Sequence, residues 1–514
     1  MKPEKTLVIG LDCSTTACKA VVWDIHGVAQ AEGRCPIPLE MPRPNWYEQH
    51  AETWWQAASQ ALKTALEKIN SAQLAALCIA PQRETFVPTD EQGHPLHNAI
   101  IWMDIRSRDL LSELDRMIGK EHLHQLTGKP LSANLSISKI FWMSQNEPQL
   151  FEQTDKFLDT GAFLAHRLTG YFRTGWGCVD PMGLFEMPQG QWSDELLAVI
   201  GISVEQLPKA YPSGAILGEI TPQAARETGL PAGLPVVAGV GDGQATGLAA
   251  NITNPGQAYL NLGTAVVSGT YAEDYLISQA FRTSFGAIPH SYILETVLLG
   301  GTYTISWFID KFSGLPKAEH PPYQSMEDVL DAEINNLPPG AEGLMLVPYW
   351  NSVMNPYWDA SASGIVVGWR GVHTLSHLYR AILEGIGYEL RLHATGVESA
   401  LGKKIDNFIA IGGGSHSTRW CQILADITGK AVYRCTTPEA AALGAGIQAA
   451  CGAGLYPDMR TAARAMTHIE PIPFEPDPVN HAFYSRLYEE VFINLYPSLQ
   501  KYLSRLTKLA ETHH

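Results

Sequence analysis

The sequence predicts an α/β protein of two lobes that face each other across a cleft, and three observations predict it. The chain opens on three apolar strands, a helix and a fourth strand, and a similar order returns from Ala258 onward. Three turns carrying glycine, serine or threonine follow apolar strands, where backbone amides can converge on an anion. A length of 514 residues agrees, because it exceeds what one hydrophobic core usually serves.

The elements come in order along the chain. Thr6 to Leu11 reads as a buried strand, Cys13 to Ala17 as a tight turn, Cys18 to Trp23 as a second strand, Asp24-Ile25-His26-Gly27 as a turn, and a third strand starts at Val28. Trp55, Ala58, Leu62, Leu66 and Ile69 share one face of a helix, and Leu74 to Ala80 is a buried strand. In the second half Ala258–Leu262, Ala265–Thr270 and Ser291–Leu299 form the corresponding meander. Helices follow at Leu375–Ala400 and Ser417–Thr428, with the strand Asn407–Ile411 between them. Leu337–Gly340 and Pro471–Pro478 read as loops. Tyr484, Leu487, Tyr488, Val491, Phe492 and Leu495 make an amphipathic helix free to pack on either lobe.

Composition narrows the function. With 36 Lys plus Arg against 52 Asp plus Glu, the net charge of -16 repels polyanions, which argues against nucleic acid or an anionic membrane as partner and for a small molecule. No apolar run approaches the ~20 residues needed to span a bilayer, and no signal-peptide pattern opens the chain, so a cytoplasmic protein is expected. The 8 cysteines are scattered without a CxxC pair, as small core residues are. His122 and His124 lack cysteine or acidic partners at metal-ligand spacing and read as surface histidines.

The most informative segment is Val236-Val237-Ala238-Gly239-Val240-Gly241-Asp242-Gly243-Gln244. It puts one carboxylate at the end of an apolar strand, in a turn where Gly239, Gly241 and Gly243 are expected to allow positive φ and close approach of a ligand. Asp242 is then a candidate general base, the alternative being a structural Asp bonding turn amides. The turns at Asp12-Cys13-Ser14-Thr15-Thr16 and Asn261-Leu262-Gly263-Thr264 could hold phosphates; either one alone could be an ordinary hairpin turn. Gln82-Arg83-Glu84 ends a strand and offers donors and acceptors to a polyhydroxylated molecule, or else a buried structural ion pair. Together these point to ATP-dependent group transfer.

Several motifs carry a family resemblance. Gly10 to Thr16 with Lys19 resembles a first phosphate motif; Asn134 to Asn146 and Gly364–Trp369 through His377–Glu384 are similar to two family signatures; Gly412–Ser415 with Trp420, Ala425-Asp426 and Glu439–Ala445 resembles an adenosine site. In this order they resemble the FGGY carbohydrate kinases, over nearly the whole chain. The resemblance implies the duplicated actin-like ATPase (ribonuclease H-like) fold, with a sugar-binding lobe at 1–246, a nucleotide-binding lobe at 247–478 and a helical segment at 479–514 packing on a lobe.

It further implies ATP contacts at Ser14, Thr15, Thr16, Lys19, Gly263, Thr264, Gly301, Thr302, Gly413, Gly414 and Ser415. Asp12 would hold Mg²⁺ through water, and Asp242 would take the proton of the attacking hydroxyl. The acceptor would meet Gln82, Arg83, Glu84, Trp102, Asp104, Asn134, Asp242 and Gly243, and a homodimer is an open expectation. Some residues depart from the family pattern: Ser14 stands for the usual Gly, Asn134 begins the first signature, Trp369 replaces an aliphatic residue, and Asn351-Ser352-Val353 replaces a Gly-Glu-Arg triplet. Gln82-Arg83-Glu84 is similar to glycerol kinases, whereas Ile101-Trp102-Met103-Asp104 and Gly241–Gln244 look like pentulose kinases. The expected activity is phosphorylation of a ketopentose such as xylulose, with glycerol or another polyol as the same-class alternative. An actin-like ATPase switch is the different-class alternative. A dinucleotide oxidoreductase fails on spacing, because no strand-GxGxxG-helix unit is present.

Overall fold

The computed structural model describes residues 5–312, 326–350 and 352–511. Asn351 and the extreme termini lie outside the described residues. The first lobe is built on β1 (Leu7–Cys13), β2 (Ala17–Asp24) and β3 (Ala29–Pro36), followed by α1 (Ala51–Leu66) and β4 (Leu74–Pro81). Further along come α2 (Ser136–Asn146), β5 (Ile216–Glu219), β6 (Pro235–Val237) and α3 (Asp242–Ala249). The sheet order is β5-β6-β4-β1-β2-β3. Both β1 and β4 are buried along their whole length, as central strands covered on both faces must be.

The second lobe repeats the plan. It contains β7 (Gln257–Leu262), β8 (Val266–Ala272), β9 (Arg282–Phe285), β10 (Tyr292–Leu298), α4 (Gly301–Phe312), α5 (Leu375–Leu401), β11 (Asn407–Ile411), α6 (Thr418–Thr428), β12 (Ala431–Arg434) and α7 (Ala440–Gly452). The order is β9-β10-β8-β7-β11-β12. The pairings β7 with β8 antiparallel and β7 with β11 parallel match β1 with β2 and β1 with β4. This is the predicted duplication, with β9 added at one edge. The short, largely polar Arg282-Thr283-Ser284-Phe285 has no apolar run to betray a strand, and pairing with β10 alone makes it one.

The lobes share a core. Val8, Val21 and Trp23 of the first sheet pack in one cluster with Ile409, Leu443 and Ile447 of the second lobe. Helix α7 approaches so closely that a Cβ on Gly10 would lie 1.8 Å from Ala442 O, and one on Gly444 would lie 2.0 Å from Ala245 O in α3. Only glycine fits either contact. The C-terminal helices, α8 (Pro478–Leu487) and α9 (Ile493–Glu511), pack on the second lobe, where Tyr484, Tyr488, Phe492 and Tyr496 join the core. Tyr484 Oη donates to Glu384 Oε1 at 2.7 Å, which fixes the lobe that the sequence left open.

Candidate active site

Asp242 is the first residue of α3, with Gly241 as N-cap, rather than part of a turn. The helix N-terminus favours its negative charge. None of Gly239, Gly241 or Gly243 takes positive φ, which corrects the sequence expectation. Glycine serves close approach instead: a Cβ on Gly239 would meet Ile79 O at 2.2 Å, one on Gly241 would meet Arg83 Cδ at 2.3 Å, and one on Gly243 would meet Glu295 Oε2 at 2.8 Å. The segment thus lies directly against the end of β4 and the Gln82-Arg83-Glu84 triplet.

The Asp242 side chain is 37% exposed, and Oδ1 accepts from Arg83 Nε at 3.1 Å and from Gly243 N at 2.8 Å. Desolvation raises its pKa, and the Arg83 charge opposes that rise. Asp12, at the end of β1, is buried with Oδ1 unpartnered. Its burial, followed by the nearby Asp242 charge, pushes its pKa up to about 7. An orphaned carboxylate oxygen near a second carboxylate is the donor set a hard divalent cation neutralises. Among the described residues no group of three or more His, Cys, Asp or Glu could hold a metal, so a cation at Asp12 would draw its other ligands from water and phosphate.

Arg83 and Glu84 are not paired with each other. Arg83 Nη1 lies 3.0 Å from Glu295 Oε2, and Arg282 Nη1 lies 2.5 Å from Glu84 Oε1. Both partners come from β10 and β9 of the second lobe, and the sequence reading missed them because nothing in a single chain reports pairing between lobes. Glu84 holds a left-handed φ of 54°, and the buried Lys139 of α2 donates to its carbonyl at 2.6 Å and to Ile101 O at 2.9 Å. Burial brings the Lys139 pKa down to about 7.

Gln82 Nε2 donates to Gln49 Oε1 at 2.9 Å, while Thr15 Oγ1 donates to Gln82 Oε1 at 3.3 Å and accepts from Trp102 Nε1 at 2.8 Å. The Thr15 hydroxyl therefore links the first turn to Gln82 and Trp102, and the neighbouring Thr16 is exposed. Ser14 Oγ donates to Ala17 O at 3.1 Å, tying the turn in place of the usual glycine. Asn134 Nδ2 donates to Trp102 O at 2.9 Å, so both stand at one wall. Asp104 does not join them: its carboxylate is fully buried and accepts from Tyr47 N at 2.7 Å and from Arg106 Nη2 at 2.8 Å, a structural role that corrects the sugar-contact expectation. Lys19 is likewise committed, with Nζ 2.6 Å from Glu439 Oε2.

In the second lobe a cavity of about 1120 Å³ is lined by Gly263, Thr264, Thr302, Gly413, Gly414 and Trp420 together with residues not foreseen, among them Asp331, Asn335 and Tyr379. Thr302 Oγ1 donates to Gly263 O at 2.7 Å, which joins the turn to the head of α4. Gly301 and Ser415 are buried beside this cavity rather than in its lining. Asp426 accepts from Asn480 Nδ2 and Asp477 N, each at 2.9 Å, so it anchors α8 instead of facing the cavity. The 439–445 stretch packs at the lobe interface, where Trp23 Nε1 donates to Ala442 O at 3.1 Å.

Two matching sheets, a large glycine-lined cavity in one lobe and a solvent-facing carboxylate at the lobe junction define a phosphotransferase of the actin-like ATPase architecture. The chain belongs to the FGGY family of carbohydrate kinases: the N-terminal domain of the family matches residues 7–249 and the C-terminal domain matches residues 258–453. It is 30% identical over 442 residues to a xylulose kinase of Escherichia coli strain K12, covering 85% of this chain and 88% of that one. It is 31% identical over 452 residues to a glycerol kinase of Thermococcus onnurineus, covering 85% and 87%. The crystal structure of xylulose kinase from Rhodospirillum rubrum superposes with a TM-score of 0.88 at 27% identity, covering 97% of this chain and 99% of that chain. Among the described residues no helix is long and apolar enough to cross a membrane.

Proposed function

We propose that this kinase phosphorylates a hydroxyl of a ketopentose such as D-xylulose at the expense of ATP, with Asp242 as general base. The observation that carries this reading is the half-buried Asp242 carboxylate, set at a helix N-terminus, held by Arg83 and near enough to Asp12 for its charge to raise the Asp12 pKa. Phosphoryl transfer needs positioning and charge compensation more than covalent chemistry. Glutamine, arginine and glutamate at 82–84, with Trp102 and Asn134 on one wall, would orient the acceptor; the Asp242 carboxylate would receive its proton. Gly263, Thr264, Thr302, Gly413 and Gly414 would surround the nucleotide, and Thr16 would face its phosphates from the first lobe. Asp12 would hold magnesium through water, and the ion would offset charge on the phosphates.

Glycerol or another short polyol is the second reading, favoured by Arg83 and Glu84 and by the glycerol kinase relative. Measuring ADP release with a panel of ketoses and polyols against a blank lacking acceptor decides between them. ATP hydrolysis at one rate with and without every acceptor would overturn both and leave an ATPase switch.

A further inference from the structure

The acceptor residues of the first lobe are completed by two charged residues of the second. Arg282 of β9 and Glu295 of β10 stand opposite one another in the sheet register. Arg282 Nε donates to Glu295 Oε1 at 2.6 Å while its Nη1 reaches Glu84 Oε1 at 2.5 Å. The fully buried Glu295 also meets Arg83 Nη1 at 3.0 Å, and Arg83 Nε meets Asp242 Oδ1 at 3.1 Å. The groups alternate in sign along one chain, Asp242, Arg83, Glu295, Arg282, Glu84, and the chain crosses the cleft twice.

We infer that Arg282 is a positioning residue that sets acceptor specificity through Glu84, and that the site it completes takes an uncharged polyhydroxylated acceptor, a ketose or polyol, over a sugar acid. The inference rests on the kinase reading above. Three carboxylates against two guanidiniums leave one net negative charge, and both guanidiniums are already engaged by carboxylates. A carboxylate on the acceptor would find no uncommitted cation in this chain of groups and would face Asp242 and Glu84, like charges in a partly desolvated site. A neutral polyol meets the same two carboxylates as hydrogen-bond acceptors. Their placement depends on Arg282: Glu84 is held at its carboxylate by Arg282 and at its carbonyl by Lys139, which fixes a backbone conformation that non-glycine residues seldom adopt. Without Arg282 the carboxylate loses its partner and its aim.

The test uses the full chain and its Arg282→Gln and Arg282→Lys variants, assayed with D-xylulose, glycerol and D-gluconate at saturating MgATP, with ADP affinity and Tm measured alongside. For the wild type, kcat/KM with the better neutral acceptor is expected to exceed that with gluconate by about 100-fold. Arg282→Gln is expected to raise the KM for that acceptor about 10- to 100-fold, with kcat within a few-fold and ADP affinity unchanged. Arg282→Lys keeps the charge but not the fork that spans Glu84 and Glu295, so it should show the same KM effect in part and serves if the glutamine variant fails to fold. Comparable use of gluconate by the wild type, or an unchanged acceptor KM in a folded variant, overturns the inference while leaving the kinase reading intact. A wild type that phosphorylates gluconate alone overturns this inference only, and one that binds ADP but phosphorylates none of the three acceptors overturns the kinase reading and this inference with it.

Discussion

Arg83 Nε donates to Asp242 Oδ1 at 3.1 Å, and the Gly243 amide donates to the same oxygen at 2.8 Å. Both contacts fall on one side of a carboxylate that is otherwise open to the cleft. The arrangement orients the group while leaving its other oxygen the natural place for a proton to arrive.

Replacing Asp242 with Asn keeps the shape and removes the basicity. Turnover should fall about 10²- to 10⁴-fold, with ADP affinity unchanged because the cavity proposed to hold the nucleotide lies in the other lobe. Near-wild-type kcat in Asp242→Asn would remove the residue from the mechanism.

Asp12 carries a buried carboxylate oxygen with no partner in the protein. In magnesium-free buffer, Asp12→Asn should stabilise the fold by about 1–3 kcal/mol, since it deletes an uncompensated buried charge. The same variant should lose the extra thermal stabilisation that magnesium adds to ADP. Calorimetry of both proteins with ADP, with and without magnesium, checks both effects; an identical magnesium response would show that Asp12 holds no cation.

Glu295 gives the pH dependence. Full burial alone would raise its pKa, but Arg282 and then Arg83 pull it down to about 2, below the ordinary 4.5. A depressed carboxylate contributes stability that is complete above about 4.5 and is lost as pH falls toward about 2, a contribution on the order of 3 kcal/mol. Denaturant midpoints should therefore drop across this window in the wild type. The drop should be smaller in Glu295→Gln, and equal slopes would exclude this linkage.

Substrate should also compact the molecule, and the contacts between the lobes indicate where. Thr283 N donates to Gly128 O at 2.9 Å and Phe285 N to Asp180 Oδ2 at 2.8 Å, so β9 ties the lobes together at the end where the acceptor is proposed to bind. Buried Lys129, whose Nζ donates to Thr283 O at 2.5 Å and lies 3.0 Å from Asp180 Oδ2, reinforces the tie. Closure is expected at the nucleotide end, as a modest decrease in radius of gyration on adding sugar and a non-hydrolysable ATP analogue. Identical scattering profiles would mean a cleft already closed.

Much of this was legible in the sequence because it is local. The strands around Asp12 and Gly263 announce themselves by apolar runs ending in small residues, and Asn407–Ile411 occupies its predicted bounds. The illegible part depends on contacts between distant segments. The role of Gly241 and Gly243 is set by the side chains of Arg83 and Glu295, and that of Gly239 by the Ile79 carbonyl, which no local pattern reveals. Asp104 and Lys19 looked available because Tyr47, whose amide donates to the Asp104 carboxylate, and Glu439, the partner of Lys19, become neighbours only on folding. Arg282 sits in a strand too short and polar to read as one.

Exchanging the Gln82-Arg83-Glu84 triplet for its pentulose-kinase counterpart disturbs the same long-range contacts. From sequence alone, Arg83→Met with Glu84→His is expected to shift acceptor preference with little change in melting temperature. The structure makes that second expectation untenable. Arg83→Met removes one of the two guanidiniums that hold Glu295, and Glu84→His withdraws the carboxylate from Arg282, so both buried partners in the second lobe lose half their compensation. Breaking buried ion pairs from one side costs about 3–5 kcal/mol, and the double variant should melt markedly lower than wild type. Adding Glu295→Met and Arg282→His removes the stranded charges as well. The quadruple variant should recover most of the lost stability while keeping an altered ratio of kcat/KM among xylulose, ribulose and glycerol. Recovery of stability without any change in that ratio would mean that the network ties the lobes together and does not choose the acceptor.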